Sequence, residues 1–514
     1  MGISISRNVD LSANEYLLKF ADKENISPND PFWNRFLAFN IKPPTSSTDQ
    51  LSLDTKIEPI CQKLLVNNLQ SGNIGSLIRV FLTRCGELLG ATNTNDNVYC
   101  WQIFNSLFTI RCILKYLTET VTEEQLIEHL EVGADNQTSR LESLIGALFG
   151  IIVDIPLKEF TYAVHLEAIT CLIVFLSVQL HTNKKADQSS IYRLLMKGRQ
   201  SIHAPLFMKS LINNFIEQRK APPSFSTNQS HSIVLGLASE LWSILTLSRK
   251  DNEEIESSVS GDIHEVPLAT QSLLLVLILT NHYTTQTNPY RQCLFACLNS
   301  QDNNPIPPTK APSIFKIDYS ALFVTLCKRA NGDAATLLLY LLLHRNTSFK
   351  SHLLARLDLD QLVIPVLKTL YHAPDSNSHH IYMSLIILLI LSEDDTFNRS
   401  VHETVKGYLQ PFKRNGAFQD IVQNIYIVIE YFSQIIQTKS QQNEVDATQV
   451  LSIIQQGTKQ WPKDKLTKFP ELKFKYVEED QPEEFFIPYV WALVSQQSML
   501  HWSTEGAAIL TASC

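Results

Sequence analysis

The chain of 514 residues could form about three average domains, and its 44 % hydrophobic and 18 % charged residues exclude wholesale disorder. Its 43 basic and 51 acidic residues leave a net charge of −8, which repels a phosphate backbone and excludes nucleic acid as an expected partner. Nine cysteines without a dense framework read as reduced cytosolic thiols, while only 16 glycines and frequent Leu and Ile runs favour helices over sheets.

The chain opens Met1-Gly2-Ile3-Ser4-Ile5-Ser6, which fits the pattern M-G-x-x-x-[ST]: loss of the initiator Met exposes Gly2 for N-myristoylation, with Ser6 at the favoured position. A single myristoyl chain supports only reversible membrane binding, with an association constant of about 10⁴ per molar, so stable residence needs a second signal. Arg7 is the only cation before Lys19, and Asp10 and Glu15 oppose it, so no polybasic patch adjoins the lipid. The same acidic residues break any apolar run, and no secretory signal is expected. Residues 1–50 are read as the lipidated segment and first helix.

Residues 51–409 are read as a helical repeat array. Apolar stripes at helical spacing occur at Leu64 to Val66, Ile74 to Leu82, and Leu141, Leu144, Ile145, Leu148 and Ile152. Gly72-Asn73-Ile74-Gly75 lacks the Gly-Lys-Ser/Thr of a phosphate loop and is predicted to be a helix-entry turn. The runs Ala168 to Leu180, Leu273 to Leu279 and Ile381 to Leu391 fall short of the ~20 apolar residues of a membrane span and are predicted to be buried helices. Polar breaks at Gly133 to Ser139, Asn299 to Pro312 and Ala373 to Ser378 read as loops, and Lys220 to Ser230 and Arg249 to Glu265 as mobile segments. Between Asp318 and Leu409 helices recur in pairs of about 40 residues, within the range of armadillo or HEAT repeats. The predicted fold is therefore all-α, an armadillo/HEAT-like solenoid with irregular repeats and no transmembrane span.

Residues 410–500 are read as C-terminal helices. One apolar stripe runs from Phe418 through Ile425, Phe432 and Ile436. Lys459, Lys463, Lys465, Lys468, Lys473 and Lys475 form a basic block followed at once by Glu478, Glu479, Asp480, Glu483 and Glu484, which reads as a self-pairing or solvated surface ahead of membrane contact. Residues 501–514 are read as a flexible tail.

Catalytic patterns fail at the residue the chemistry needs. His402-Glu403 and His264-Glu265 begin like a zinc-protease helix, but Lys406 and Leu268 stand where the second histidine belongs. His379 and His380, with His372 and Asp375 nearby, diverge by about 100° on a helix and read as helix-start or surface histidines. Cys293 and Cys297, four apart, read as two small buried hydrophobes. No Gly-x-Ser-x-Gly elbow occurs. No enzyme, cofactor, metal or small-molecule substrate is expected.

Several blocks resemble the dymeclin family. They are Asn29-Asp30-Pro31-Phe32-Trp33-Asn34, Gly72 to Ile78, Asn288-Pro289-Tyr290-Arg291, Asn377 to Met383, Glu393 to Ser400, and above all Lys468-Phe469-Pro470-Glu471-Leu472-Lys473-Phe474 continuing to Tyr489. The resemblance spans nearly the whole chain and includes Gly2, where the family is similar in carrying a myristoylation site. It implies a non-enzymatic, peripheral protein of the cytoplasm and the cytosolic Golgi face, required for Golgi organisation and vesicular trafficking. Its implied partners are the Golgi membrane surface and Golgi or trafficking proteins. A soluble adaptor that docks a protein through the C-terminal charged block is the alternative. The chain departs from the family after Val401-His402-Glu403, passing from Lys406-Gly407 directly into Pro411-Phe412, as though a block of helical repeat were missing.

Overall fold

The computed structural model describes residues 14–38, 44, 46–90, 97–134, 139–182, 184–222, 266–282, 285–302, 314–371, 377–395, 397–398, 485–502 and parts of 427–457. Among these the fold is all-α. The one exception is a two-residue parallel bridge that pairs Leu298 with Lys316 and Asn299 with Ile317.

Local signals set the early helices. Asn14 caps α1 (Glu15–Phe20) by accepting from the N–H groups of Tyr16 and Leu17. Helix α2 (Phe32–Phe36) presents Phe32, Trp33 and Phe36 to Phe20, stacked on Phe36 at 5.0 Å, in an aromatic cluster. Ser46 caps α3 (Ser47–Ser71), which ends at Gly72 with φ 66°, a left-handed conformation that Gly adopts without Cβ strain. Helix α4 (Asn73–Gly90) starts at the next residue, so the predicted helix-entry turn narrows to Gly72 alone, and Asn73, Ile74 and Gly75 form the first turn of α4. The α3 stripe is corrected in one position: Leu64 is buried, but Val66 lies two residues on, off that face, and is 78 % exposed.

Helices α5 (Asn97–Thr120), α6 (Glu123–Glu131) and α7 (Arg140–Asp154) follow, α6 with a reciprocal capping box between Thr122 and Gln125 and α7 capped by Ser139. Helix α8 (Tyr162–Leu176) continues as a 3-10 turn over Ser177–His181. Together they make a 20-residue apolar stretch, so the run counted from Ala168 is longer than its apolar core suggested. It is long and apolar enough to cross a membrane by length and composition, yet 89 % of it is buried. After α9 (Ser190–Lys197) and a 3-10 turn at Arg199–His203 come α10 (Ala204–Glu217), α11 (Pro267–Asn281) and α12 (Pro289–Ala296). Next are α13 (Tyr319–Arg329), α14 (Asp333–Arg345), α15 (Thr347–Leu354), α16 (Asp360–Tyr371), α17 (Ser378–Ser392) and α18 (Ile487–Gln497).

Two helices form the core. Helix α8 packs on α5, α7 and α11, while α11 packs also on α10, α12, α14 and α18. Both are buried nearly all round, which explains why they lack an amphipathic stripe. Tyr162 Oη accepts from Leu268 N–H at one end, and Tyr192 at the other donates to the Leu176 carbonyl while stacking on His282. The two central helices therefore run side by side in the same direction. Each fully buried Leu, Ile or Phe along them contributes about 1.5–3 kcal/mol.

Contacts divide the chain into Met1–His352 with Gln481–Cys514, and Leu353–Asp480. In the second unit α16 and α17 pack together. In the first, α18 lies on α11 and α14. The sequence places α18 with the helices of 410–500, but its apolar face, Tyr489, Val490, Trp491, Leu493 and Val494, is buried in the first unit. Trp502 too is buried, although the expected tail begins at residue 501. Repeats of a solenoid touch only their neighbours, whereas Trp491 and His282 meet across a separation of 209 residues. The packing establishes an all-α fold and does not establish the repeat solenoid.

Candidate functional site

Gly2, Ser6, the basic and acidic C-terminal blocks, His264, His372, Asp375 and His402 lie outside the described residues, as do most of the two predicted mobile segments and of the Phe418 stripe. His379 and His380 sit in the first turn of α17, whose cap Asn377 accepts from the His379 N–H at 2.8 Å. Among the described residues no group of three His, Cys, Asp or Glu side chains could hold a metal ion.

Apart from the half-buried Cys327, the described thiols are buried packing elements. Burial pushes Cys85, Cys112, Cys293 and Cys297 up to about 12, and raises Cys61 and Cys171 as well, so their nucleophilic thiolates are scarce. Cys293 is buried on α12, and Cys297 at its C-terminal cap, where the Asn346 amide donates to its sulfur at 3.3 Å.

The main charge cluster of the interior is built on α5. Arg111 Nε donates to Glu167 on α8, and Arg111 Nη1 lies 3.3 Å from Gln50 Oε1 on α3. One turn along, Lys115 Nζ sits 3.0 Å from Asp54 and 2.9 Å from Glu119. The Trp502 ring covers that ammonium at 5.9 Å. Burial is the largest single influence and disfavours the Arg111 cation, but Glu167, Cys112 and Asp54 together hold the guanidinium pKa above its ordinary value, while burial raises that of Glu167. Both charges are satisfied by fixed partners, which makes the cluster a tie between α3, α5 and α8.

Several described residues of the blocks that carry the family resemblance, Trp33, Asn73, Asn288 and Arg291, clamp backbone, and Asn68 beside them does the same. Asn73 Nδ2 donates to the carbonyls of Phe20 and Glu24, and its Oδ1 accepts from Ile26 N–H at 2.9 Å. Asn68 reaches the His129 carbonyl and accepts from Ile74 N–H. Asn288 donates to the Leu279 and His282 carbonyls while capping α12, and Arg291 binds the Thr280 and His282 carbonyls. Trp33 Nε1 donates to the Ser27 carbonyl at 2.8 Å. Most of these clamps satisfy backbone polar groups at or beside a helix end.

At the foot of α11, His282 is fully buried. Its Nδ1–H faces the Ile278 carbonyl at 3.0 Å, and its Nε2 accepts from Trp491 Nε1–H at 2.7 Å. Burial holds its pKa down at about 3, so the ring is neutral and suited to that acceptor role. Tyr489 Oη adds a 2.7 Å bond to Asp333. Composition pointed to neither contact, because each joins residues more than 150 positions apart. Among the described residues a shallow hollow of about 170 Å³ lies between Leu88, Leu89, Ile155 and Phe160, below the ~300 Å³ of an ordinary small-molecule site.

The family model "Dymeclin: Dyggve-Melchior-Clausen syndrome protein" matches residues 1–409 and 406–493. The chain is 35 % identical to the dymeclin of Drosophila pseudoobscura pseudoobscura and 34 % to that of Drosophila melanogaster, covering 99 % of both chains in each case. It is 34 % identical to the dymeclin of Xenopus laevis, again over 99 % of each. No solved structure matches. The first alignment runs over 703 positions against 514 residues here, so at least 189 of its positions have no counterpart in this chain. The two parts of the family match meet at residues 406–409. The chain belongs to the dymeclin family.

Proposed function

We propose that the chain is a non-enzymatic helical scaffold of the cytosolic face of the Golgi, held there reversibly by a myristoyl group on Gly2 and serving Golgi organisation and vesicular trafficking. The observation that carries this reading is Met1-Gly2-Ile3-Ser4-Ile5-Ser6 at the head of a chain of this family. Two features support the scaffold role. Residues of the resemblance blocks at the starts of α4 and α12 clamp backbone, and the interior charges of Arg111 and Lys115 are paired with Glu167 and Asp54. One acyl chain gives an association constant of about 10⁴ per molar, which suits exchange between cytosol and membrane. Fractionating cells that express the native chain and Gly2→Ala tests it. A shift of the variant to the cytosolic fraction is expected; unchanged membrane association would remove the lipid from the mechanism and favour recruitment by protein contacts alone.

A further inference from the structure

From Thr182 to Ile216 the chain carries Lys184, Lys185, Arg193, Lys197, Arg199 and Lys209 against Asp187 alone, in a protein of net charge −8. All six cations are exposed, and Lys184 among them is paired with Glu124 from outside this stretch. Among them stand two exposed apolar side chains, Ile202 at 73 % and Leu206 at 52 %. These lie four residues apart across the 3-10 turn Arg199–His203 and the first turn of α10, so they share one face, and Lys209 continues it three residues on. Arg199, in the same turn, has a side chain 82 % exposed and forms a long ion pair with Glu142 at 3.8 Å. Lys197 closes α9 and reaches the neutral amide of Gln286. The opposite face of α10, with Phe207, Met208 and Leu211, is buried, so the core does not require Ile202 or Leu206.

An exposed apolar pair flanked along the chain by exposed cations matches a surface that is anionic outside and apolar beneath. The charges are spread along two helices and a turn rather than converging on one point, which suits the diffuse charge of a lipid leaflet better than a single carboxylate. The other exposed apolar pair of note, Val66 and Leu69 on α3, lacks this setting, because between residues 57 and 78 the single cation Lys63 is balanced by Glu58.

We propose that the corner formed by Lys197, Arg199, Ile202, Leu206 and Lys209 is a docking surface for an anionic lipid bilayer, with Ile202 and Leu206 entering the headgroup boundary. It supplies the second signal that one acyl chain needs. The proposal rests on the membrane role above, although binding by the corner does not itself require the lipid.

The test uses the full chain carrying Gly2→Ala, and hence unlipidated, sedimented with vesicles of phosphatidylcholine containing about 30 % phosphatidylserine and with phosphatidylcholine vesicles alone. Binding to the anionic vesicles only is expected, abolished near 1 M salt, where the screening length falls to ~3 Å. Arg199→Ser/Lys209→Ser should weaken binding about thirtyfold, at roughly fivefold per cation. Ile202→Ser/Leu206→Ser should weaken it about tenfold or more. Val66→Ser/Leu69→Ser should bind as the parent does, and matching circular dichroism spectra establish that all variants fold. Equal binding by parent and corner variants, equal binding to neutral vesicles, or no binding by the parent would each overturn the proposal. So would intact vesicle binding in corner variants that lose affinity for polyglutamate, which would assign the corner to an acidic protein. Vesicle binding that survives alongside unchanged cellular fractionation of Gly2→Ala would refute the lipid reading and leave the corner standing.

Discussion

Replacing Trp491 with Phe removes the one N–H that its indole gives to His282 Nε2, in a pair buried between α18 and α11. The histidine acceptor is fully enclosed, and leaving it without a donor costs about 1–3 kcal/mol. The smaller ring leaves a cavity worth about a further 1 kcal/mol. The expected loss is thus about 2–4 kcal/mol, a large part of an ordinary domain's stability. Urea titrations followed by near-UV circular dichroism measure it, and a cycle with His282→Leu separates the hydrogen bond from the packing. Removing both partners leaves no orphaned acceptor, so the double variant should be more stable than the two single losses sum to, by at least about 1 kcal/mol. Additivity within about 0.5 kcal/mol would refute the claim that this bond anchors the C-terminal helix to the core.

Mild acid should destabilise the fold through its buried neutral histidines. Burial holds His282 down at about 3 and His165 at about 4, both below the unfolded value of about 6.5. The stability of their neutral forms is complete above about pH 6.5 and is lost as pH falls toward those folded values, so each should forfeit about 2 kcal/mol by pH 5. Melting temperatures across pH 5–7 measure this, and a flat profile would contradict it. Glu167→Leu leaves the Arg111 guanidinium buried without its carboxylate and should cost about 3–5 kcal/mol, whereas Arg111→Met/Glu167→Leu should recover most of that. Equal losses in single and double variants would show that the pair acts through packing alone.

Much of the fold was legible because it rests on local rules. The stripe from Leu141 to Ile152 became α7 with Ser139 at its cap, and Gly72 became a left-handed helix end. The burial of Cys293 and Cys297 followed from their type. Long-range choices were not legible. Charged Arg111, Lys115 and Glu167 lie in the interior because partners on other helices meet them there, and nothing in the neighbouring residues announces those partners. The length of the Tyr162–His181 helix was hidden by His165 and Glu167, polar residues buried on an otherwise apolar rod. The return of α18 depends on Trp491 finding His282, a pairing no periodicity encodes. The cations between Lys184 and Lys209 were scattered among buried residues, and only folding shows them exposed with Ile202 and Leu206. The Lys459 to Lys475 block, by contrast, is conspicuous because it is contiguous in sequence.

The central claim is that a lipid on Gly2 makes membrane residence reversible, and mass analysis of the N-terminal peptide tests it most directly. The chain is purified separately from the membrane and cytosolic fractions of the same cells. The expected result is myristoyl-Gly2 in both fractions, since a lipid that anchors only weakly should leave modified protein in the cytosol. A free or acetylated N-terminus in the membrane fraction would contradict the account.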